Sequence, residues 1–222
     1  MLSESSHAYG VVLAMILVSL AFQMGAPEED WARMVSIGLQ GATLLAALRV
    51  SGAHTLLFRV AAVITVLAVL GSAGVLAGSG ELDSDAVRSV GLLLAAVAPV
   101  AIAIGVVREA RTHGVTFRTM FGVLCMYLLL GNLYAYVYAV IAALSSEHFF
   151  AETSATTISD FLYFSFTTMT TTGFGDLTAA TDAGRAVAVT EELAGQIYLV
   201  TVVAVIVSNL GRQPRSRSPR AE

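Results

Sequence analysis

Lysine is absent: all twelve basic residues of the 222-residue chain are arginines. Schiff-base chemistry and phosphate-binding motifs built on a lysine are therefore excluded. Cysteine is nearly absent. The single Cys125 sits inside an apolar run, so no disulfide can form within one chain, and a thiol there reads as a small core residue. The four histidines, His7, His54, His113 and His148, are scattered through termini and loops without metal spacing, and no group of His, Cys and acids has catalytic spacing. Neither an enzymatic activity nor a cofactor is expected, and nothing suggests a nucleic-acid partner. Charge is thin as well: 13% of residues are charged, against 56% hydrophobic. With a mean hydropathy of +0.78, that composition excludes a soluble globular domain and indicates an integral membrane protein.

A spanning helix needs about 20 mostly apolar residues, and six stretches qualify: Ala8 to Met24, Trp31 to Val50, Leu56 to Gly78, Ala86 to Val107, Phe117 to Leu144 and Gly184 to Leu210. The first is read as a helix rather than a signal peptide, because Met1 to Gly10 carries no positive charge and no small-residue cleavage pattern follows. A cytoplasmic N-terminus places Arg49, Arg59, Arg108, Arg111, Arg118, Arg212, Arg215, Arg217 and Arg220 inside, and Arg33, Arg88 and Arg185 outside. That bias sets the expected orientation, with both termini cytoplasmic and the membrane expected to be the plasma membrane. Two acidic groups, Glu28-Glu29-Asp30 and Glu81 with Asp83 and Asp85, fall at apparent helix starts. Acids there complement the helix dipole, and Trp31 suits an interfacial anchor.

Within the spans, Gly71, Ser72, Gly74 and Gly78 would let the third helix approach a neighbour closely, and Pro99 would bend the fourth. The fifth is longer than a membrane requires, so it tilts or projects. Its Tyr127, Tyr134, Tyr136 and Tyr138 read as an interfacial belt and as packing around the last helices, with Asn132 hydrogen-bonded between helices. Ser145 to Thr157 reads as a polar outer loop containing Glu147, His148 and Glu152. Thr157 to Met169, TISDFLYFSFTTM, is too short to span but suits about three turns of re-entrant helix, capped by Thr157 or Ser159, with Asp160 in the first turn.

Immediately after it comes Thr170-Thr171-Thr172-Gly173-Phe174-Gly175-Asp176. Glycine enters backbone regions that a side chain forbids, so a run with Gly173 and Gly175 alternating with larger residues can turn successive carbonyls to one side. Irregular backbone at membrane depth is tolerated only where protein buries it or where it lines a watery path. TTTGFGD resembles the selectivity filter of potassium channels, whose pattern reads Thr-Val-Gly-Tyr/Phe-Gly-Asp; carbonyl rings replacing the hydration shell of K+ are the general account of that family. The resemblance implies that the Thr171 hydroxyl forms the innermost K+ site. The carbonyls of Thr171, Thr172, Gly173 and Phe174 form those above it, and Gly175 ends the filter. It implies that Asp176 anchors the segment from behind, where Tyr163 can donate to it, with Thr167 among the supporting hydroxyls. It also implies a homotetramer, since one segment cannot surround an ion. Thr172 stands where the family has valine, so its hydroxyl needs a partner. Phe174 replaces tyrosine and gives up a phenolic tether. A one-chain transporter would need four such segments, and the chain has one.

The family's voltage sensors carry arginine at every third position of the fourth helix. Here only Arg88 and Arg108 flank that stretch, and weak voltage dependence is expected. In the last helix, Gly195 falls where family members often carry a gating glycine. Glu192, Gln196, Leu199, Val203 and Val207 form one helical stripe, assigned to the cavity, whose apolar lower half can gate by dewetting. Glu191 and Glu192 are costly in a span. At least one is expected behind the filter, bonded to Thr167, Thr168 or Thr170. The tail GRQPRSRSPRAE is basic and expected to be disordered beside anionic lipid, without gating through an attached domain.

The expectation is thus an all-α membrane protein with six transmembrane helices and a re-entrant pore helix and filter between helices five and six. Residues 1–116 would form a four-helix domain without voltage-sensor arginines, 117–211 the pore domain and 212–222 the tail. Its function would be passive, potassium-selective conduction by a homotetramer. The alternatives are a non-selective cation channel and a non-conducting membrane sensor or assembly subunit.

Overall fold

The computed structural model describes residues 6–27, 29–52, 55–77, 84–113, 116–154, 156–204 and 208. Val207, Leu210, Glu28, Glu81, Asp83, Gly78 and the basic tail lie outside the described residues.

The described chain is helical: α1 Ser6–Gly25, α2 Asp30–Ser51, α3 Thr55–Ala77, α4 Ser84–His113, α5 Phe117–Leu144, α6 Ile158–Met169 and α7 Asp182–Ile197, the last continued by a π-helical turn, Tyr198–Val203. Local chemistry sets several ends. Helix α2 stops at Gly52, whose φ of 61° lets its amide return to Arg49 and Leu48. Helix α5 opens on a reciprocal cap between Thr116 and Thr119. Helix α4 continues through Pro99 as one element. Among the described residues five helices are long and apolar enough to cross a membrane, the stretches being Ala8–Gly25, Asp30–Ser51, Gly91–Thr112, Arg118–Leu144 and Asp182–Val203. The architecture fits an all-α membrane protein. The sixth span expected from the sequence, in α3, offers a shorter apolar stretch among the described residues, Phe58–Gly71.

Helices α4 and α5 form the central pair, with α2 and α1 packed on them and α3 on α2. Leu56, Val60, Val63, Val66, Leu67 and Leu70 leave α3 with a broad exposed apolar face, as expected of a helix against lipid. Gly71 meets nothing within 4 Å and so marks no close helix contact. At one end of the bundle, Arg108 on α4 donates to the carbonyls of Ser51 and Gly52, closing the open end of α2, and Arg118 pairs with Glu109 at 3.2 Å. At the other end, Ser159 in α6 donates to the Met24 carbonyl at 3.0 Å, which ties the short helix to the end of α1.

Two expectations are corrected here. Tyr136 and Tyr138 are buried at 6% and 0% exposure, inside the bundle rather than in an interfacial belt, because each phenol finds a polar partner in the interior. The loop before α6 is not wholly polar either: Phe149 and Phe150 turn inward and pack edge-on with Phe161 and Phe164. This aromatic cluster, with Tyr138, seats α6 against α5.

Candidate functional site

The site is built on α6. Its first turn is fixed by a reciprocal cap: the Thr157 hydroxyl accepts from the Asp160 amide at 3.1 Å, and the Asp160 carboxylate accepts from the Thr157 amide at 2.9 Å. The apolar side of the helix, Phe161, Leu162, Phe164 and Met169, is buried. Its C-terminal carbonyls point toward the segment that follows.

That segment folds back on the end of α6. The amide of Thr171 donates to the Thr168 carbonyl at 2.9 Å, and those of Thr172 and Gly173 donate to the Thr167 carbonyl at 2.8 and 3.2 Å. Thr167 thus supports the segment through its backbone, its own hydroxyl going to Phe164. Thr171, Gly173 and Gly175 have φ of 57°, 47° and 80°, while no other non-glycine described residue has positive φ. Left-handed backbone at every second residue turns consecutive peptide planes the same way, with amides to one side and carbonyls to the other. The three amide bonds identify the side facing α6. At Gly173 and Gly175 nothing lies within 4 Å of an added Cβ, so backbone angle and not space is what calls for glycine. Thr171 is the residue that glycine spacing does not reveal: a β-branched side chain in this region is strained by roughly 1–2 kcal/mol.

Side chains brace the segment from both directions. The Thr171 hydroxyl accepts from Gln196 Nε2 of α7 at 3.0 Å. The Thr172 hydroxyl lies 2.9 Å from that of Thr170. The Tyr163 hydroxyl donates to Asp176, 2.8 Å from Oδ2 and 3.1 Å from Oδ1, and its ring stacks on that of Phe174 with centroids 6.2 Å apart. Beyond Asp176 the chain is held to the loop before α6. Glu152 accepts from the hydroxyl and amide of Thr178, at 2.5 and 2.8 Å, and Phe150 bridges to Ala179. The two Thr178 hydrogen bonds hold the Glu152 carboxyl below its ordinary range.

Helix α7 presents its two glutamates differently. Glu191 is fully buried, with Oε2 accepting from Tyr138 of α5 and Oε1 lying 2.5 Å from the Ser165 hydroxyl of α6; Ser165 also reaches the Gly131 carbonyl at 2.7 Å. The hydroxyl it meets is Ser165, not Thr167, Thr168 or Thr170. Those threonines lie toward the segment, whereas Ser165 is on the face of α6 that packs on α5. Glu192 is exposed, in an open groove of about 450 Å³ beside Thr168, Thr171, Gly173 and Arg185. Gly195 is buried under the end of α6, where an added Cβ would come 2.3 Å from the Met169 carbonyl oxygen. Close approach to α6 accounts for this glycine.

The cavity stripe does not run straight. Leu199 is exposed, but Val203 packs against Val123 and Tyr198 of the α5–α7 contact. The π-helical turn Tyr198–Val203 widens the helix, so the spacing of an uninterrupted α-helix no longer applies below it. Tyr198 anchors that turn by donating to the Val123 carbonyl at 2.6 Å. Sequence reasoning missed Tyr138, Ser165, Gly131 and Tyr198. A hint for the first two was a buried carboxylate in need of donors.

The arrangement offers backbone oxygens on one side of a braced segment, near carbonyls at a helix C-terminus, which suits a cation of low charge density. Among the described residues no group of His, Cys, Asp and Glu is placed to hold a metal ion. No curated protein and no solved structure matches the chain. Residues 122–212 match the model of a family described as an ion channel, and the matched stretch takes in most of α5, all of α6, the glycine segment and α7, which supports an ion channel.

Proposed function

We propose that the protein is a potassium-selective channel subunit that conducts passively as a homotetramer, with Thr171 to Gly175 as the filter and α6 as the pore helix. The observation that carries this reading is the alternation of left-handed backbone at Thr171, Gly173 and Gly175, with the amides of Thr171, Thr172 and Gly173 bonded to carbonyls of α6. The Thr171 hydroxyl and the carbonyls of Thr171, Thr172, Gly173 and Phe174 then replace water around a dehydrated K+. One chain provides one wall of such a site, and fourfold repetition about an axis closes it. In keeping with that, residues 170–176 are exposed in the single chain, and Val189, Leu193, Ile197, Leu199 and Val200 leave much of α7 uncovered. Asp176 and Tyr163 brace the filter from behind, Glu191 joins α5, α6 and α7 behind it, and Gln196 and Leu199 line the approach from below.

Opening depends weakly on voltage. Between Arg88 and Arg108 the sequence of α4 has only apolar or small residues, and Arg108 is committed to the carbonyls ending α2. The orientation puts the α1–α2 end, where α6 begins, on the outer side of the plasma membrane. The Arg108 and Arg118 end is cytoplasmic, and the basic tail lies against anionic lipid.

The test is reconstitution of the purified chain in liposomes with opposed K+ and Na+ gradients. A reversal potential following K+ supports the proposal. One following the sum of both cations makes the pore non-selective, and absence of flux makes the chain a sensor or assembly subunit.

A further inference from the structure

Away from the glycine segment, the interior of the bundle holds polar side chains on three helices. Gln23 of α1 donates through Nε2 to the carbonyl and hydroxyl oxygens of Ser19, both at 3.1 Å. Its Oε1 must therefore face α2, where it accepts from Gln40 Nε2 at 2.7 Å and from the Tyr136 hydroxyl of α5 at 3.0 Å. Gln40 Nε2 also lies 2.5 Å from that hydroxyl. Turning the Gln40 amide over would set its oxygen against the oxygen of Gln23, so its orientation is fixed from α1 outward. The consequence is a buried acceptor with no partner among the described residues, Gln40 Oε1. A second stands one turn before Tyr136 on α5: Asn132 Oδ1 is likewise buried and unpartnered. Both side chains are 6% exposed, and both line the same cavity of about 20 Å³ between α1, α2, α4 and α5. The expectation that Asn132 bonds directly across helices is thus not met at its oxygen.

We infer that this cavity is a binding site for one water molecule, which donates one hydrogen to Gln40 Oε1 and the other to Asn132 Oδ1. Three observations select that ligand. The ligand must be a donor at both ends, because both orphan atoms are acceptors only. It must be neutral, because no acid lines the cavity and an unpaired cation among spanning helices is costly. It must be small, and about 20 Å³ exceeds the roughly 10–15 Å³ that one water requires while leaving no room for an organic molecule. Ser19, Gln23 and Thr43 also line the cavity, and the rest of its wall, including Ile16, Leu20, Leu94 and Leu129, is apolar.

The bound water completes a polar chain from Ser19 through Gln23 and Gln40 to Asn132 and Tyr136, tying α1 and α2 to α5. Helix α5 is the one on which α6 and the glycine segment are seated. The N-terminal helices therefore grip the segment's scaffold through a hydrated joint at membrane depth, and the joint does not depend on the chain conducting ions.

The test is a structure of the full chain in lipid nanodiscs at a resolution that shows ordered water, paired with substitution. Density within hydrogen-bonding distance of both oxygens, lost in Asn132→Leu, is the expected result. A dry cavity, or Asn132 turned so that its amide nitrogen donates directly to Gln40, overturns the inference. As a second measurement, Asn132→Leu and Gln40→Met are combined in an unfolding cycle in bicelles. A bridged pair shows coupling of about tenfold in the unfolding equilibrium. Effects that multiply independently within twofold overturn it, since without the water the two oxygens share no partner.

Discussion

Replacing Glu191 by leucine removes the acceptor that joins three helices behind the glycine segment. The Ser165 hydroxyl still has the Gly131 carbonyl at 2.7 Å, so it loses a contact without being stranded. Tyr138 is at 0% exposure and its hydroxyl donates to Glu191, so the change leaves a buried donor unmade. A stranded donor of this kind costs about 1–3 kcal/mol. Leucine fills much of the space, which keeps any added cavity term small. Glutamine, by contrast, accepts from Tyr138 through its oxygen and donates to Ser165 through its nitrogen, and should stay within about 1 kcal/mol of the parent. Adding Tyr138→Phe to the leucine variant removes the stranded donor and should recover most of the loss, although Tyr138→Phe alone harms the parent by leaving Glu191 Oε2 without its donor. Denaturant unfolding in bicelles measures all four proteins, with K+ flux from liposomes as the functional readout. If the two single losses simply add in the double variant, or if glutamine harms as much as leucine, the three-helix junction is not what holds α6 in place.

Gly195→Ala puts a Cβ 2.3 Å from the Met169 oxygen where ordinary contact begins at 3.4 Å, so α7 must withdraw by about 1 Å. The expected cost is about 1–3 kcal/mol, with reduced flux because the Gln196–Thr171 bond stretches; unchanged melting and flux would show that α7 does not press on α6. Thr171→Gly relieves left-handed strain of roughly 1–2 kcal/mol while deleting the hydroxyl that Gln196 meets, so thermal stability should hold while K+ over Na+ selectivity falls. Glu152 titrates below its ordinary range, so its two bonds to Thr178 stabilise the folded chain above the unfolded carboxyl's pKa and are lost as pH falls through the lowered one. Acidifying the face bearing Glu152 should therefore raise proteolysis of the loop before α6, and Glu152→Gln should flatten that response.

The sequence was most legible where backbone chemistry is local. The Thr157–Asp160 cap and the glycine alternation both follow from what single residues can do with their own neighbours, so spacing alone exposed them. The partner of Glu191 was not of this kind. Helix α6 and its C-cap offer Ser165, Thr167, Thr168 and Thr170 within two turns, and which of them meets α7 depends on how the helix is rotated. That rotation is set by an aromatic cluster in which Phe149 and Phe164 meet Tyr138 while Phe161 packs on Phe149 and Phe150 on Phe164; a sequence reading assigns Phe149 and Phe150 to a polar loop and Tyr138 to an interfacial belt. The cavity stripe departs from expectation at Val203 for a related reason. The period of three and four is a property of an unbroken α-helix, and the π-helical turn at Tyr198–Val203 carries no motif that announces it. It begins where α7 is held from two sides: Gly195 lets α7 close on Met169, Tyr198 reaches back to Val123, and within the turn Thr201 bonds the Ile197 carbonyl. Val203, the last residue of the turn, packs toward Val123 of α5. The face that α7 offers below the segment is therefore determined by α5 as well as by the order of its own side chains.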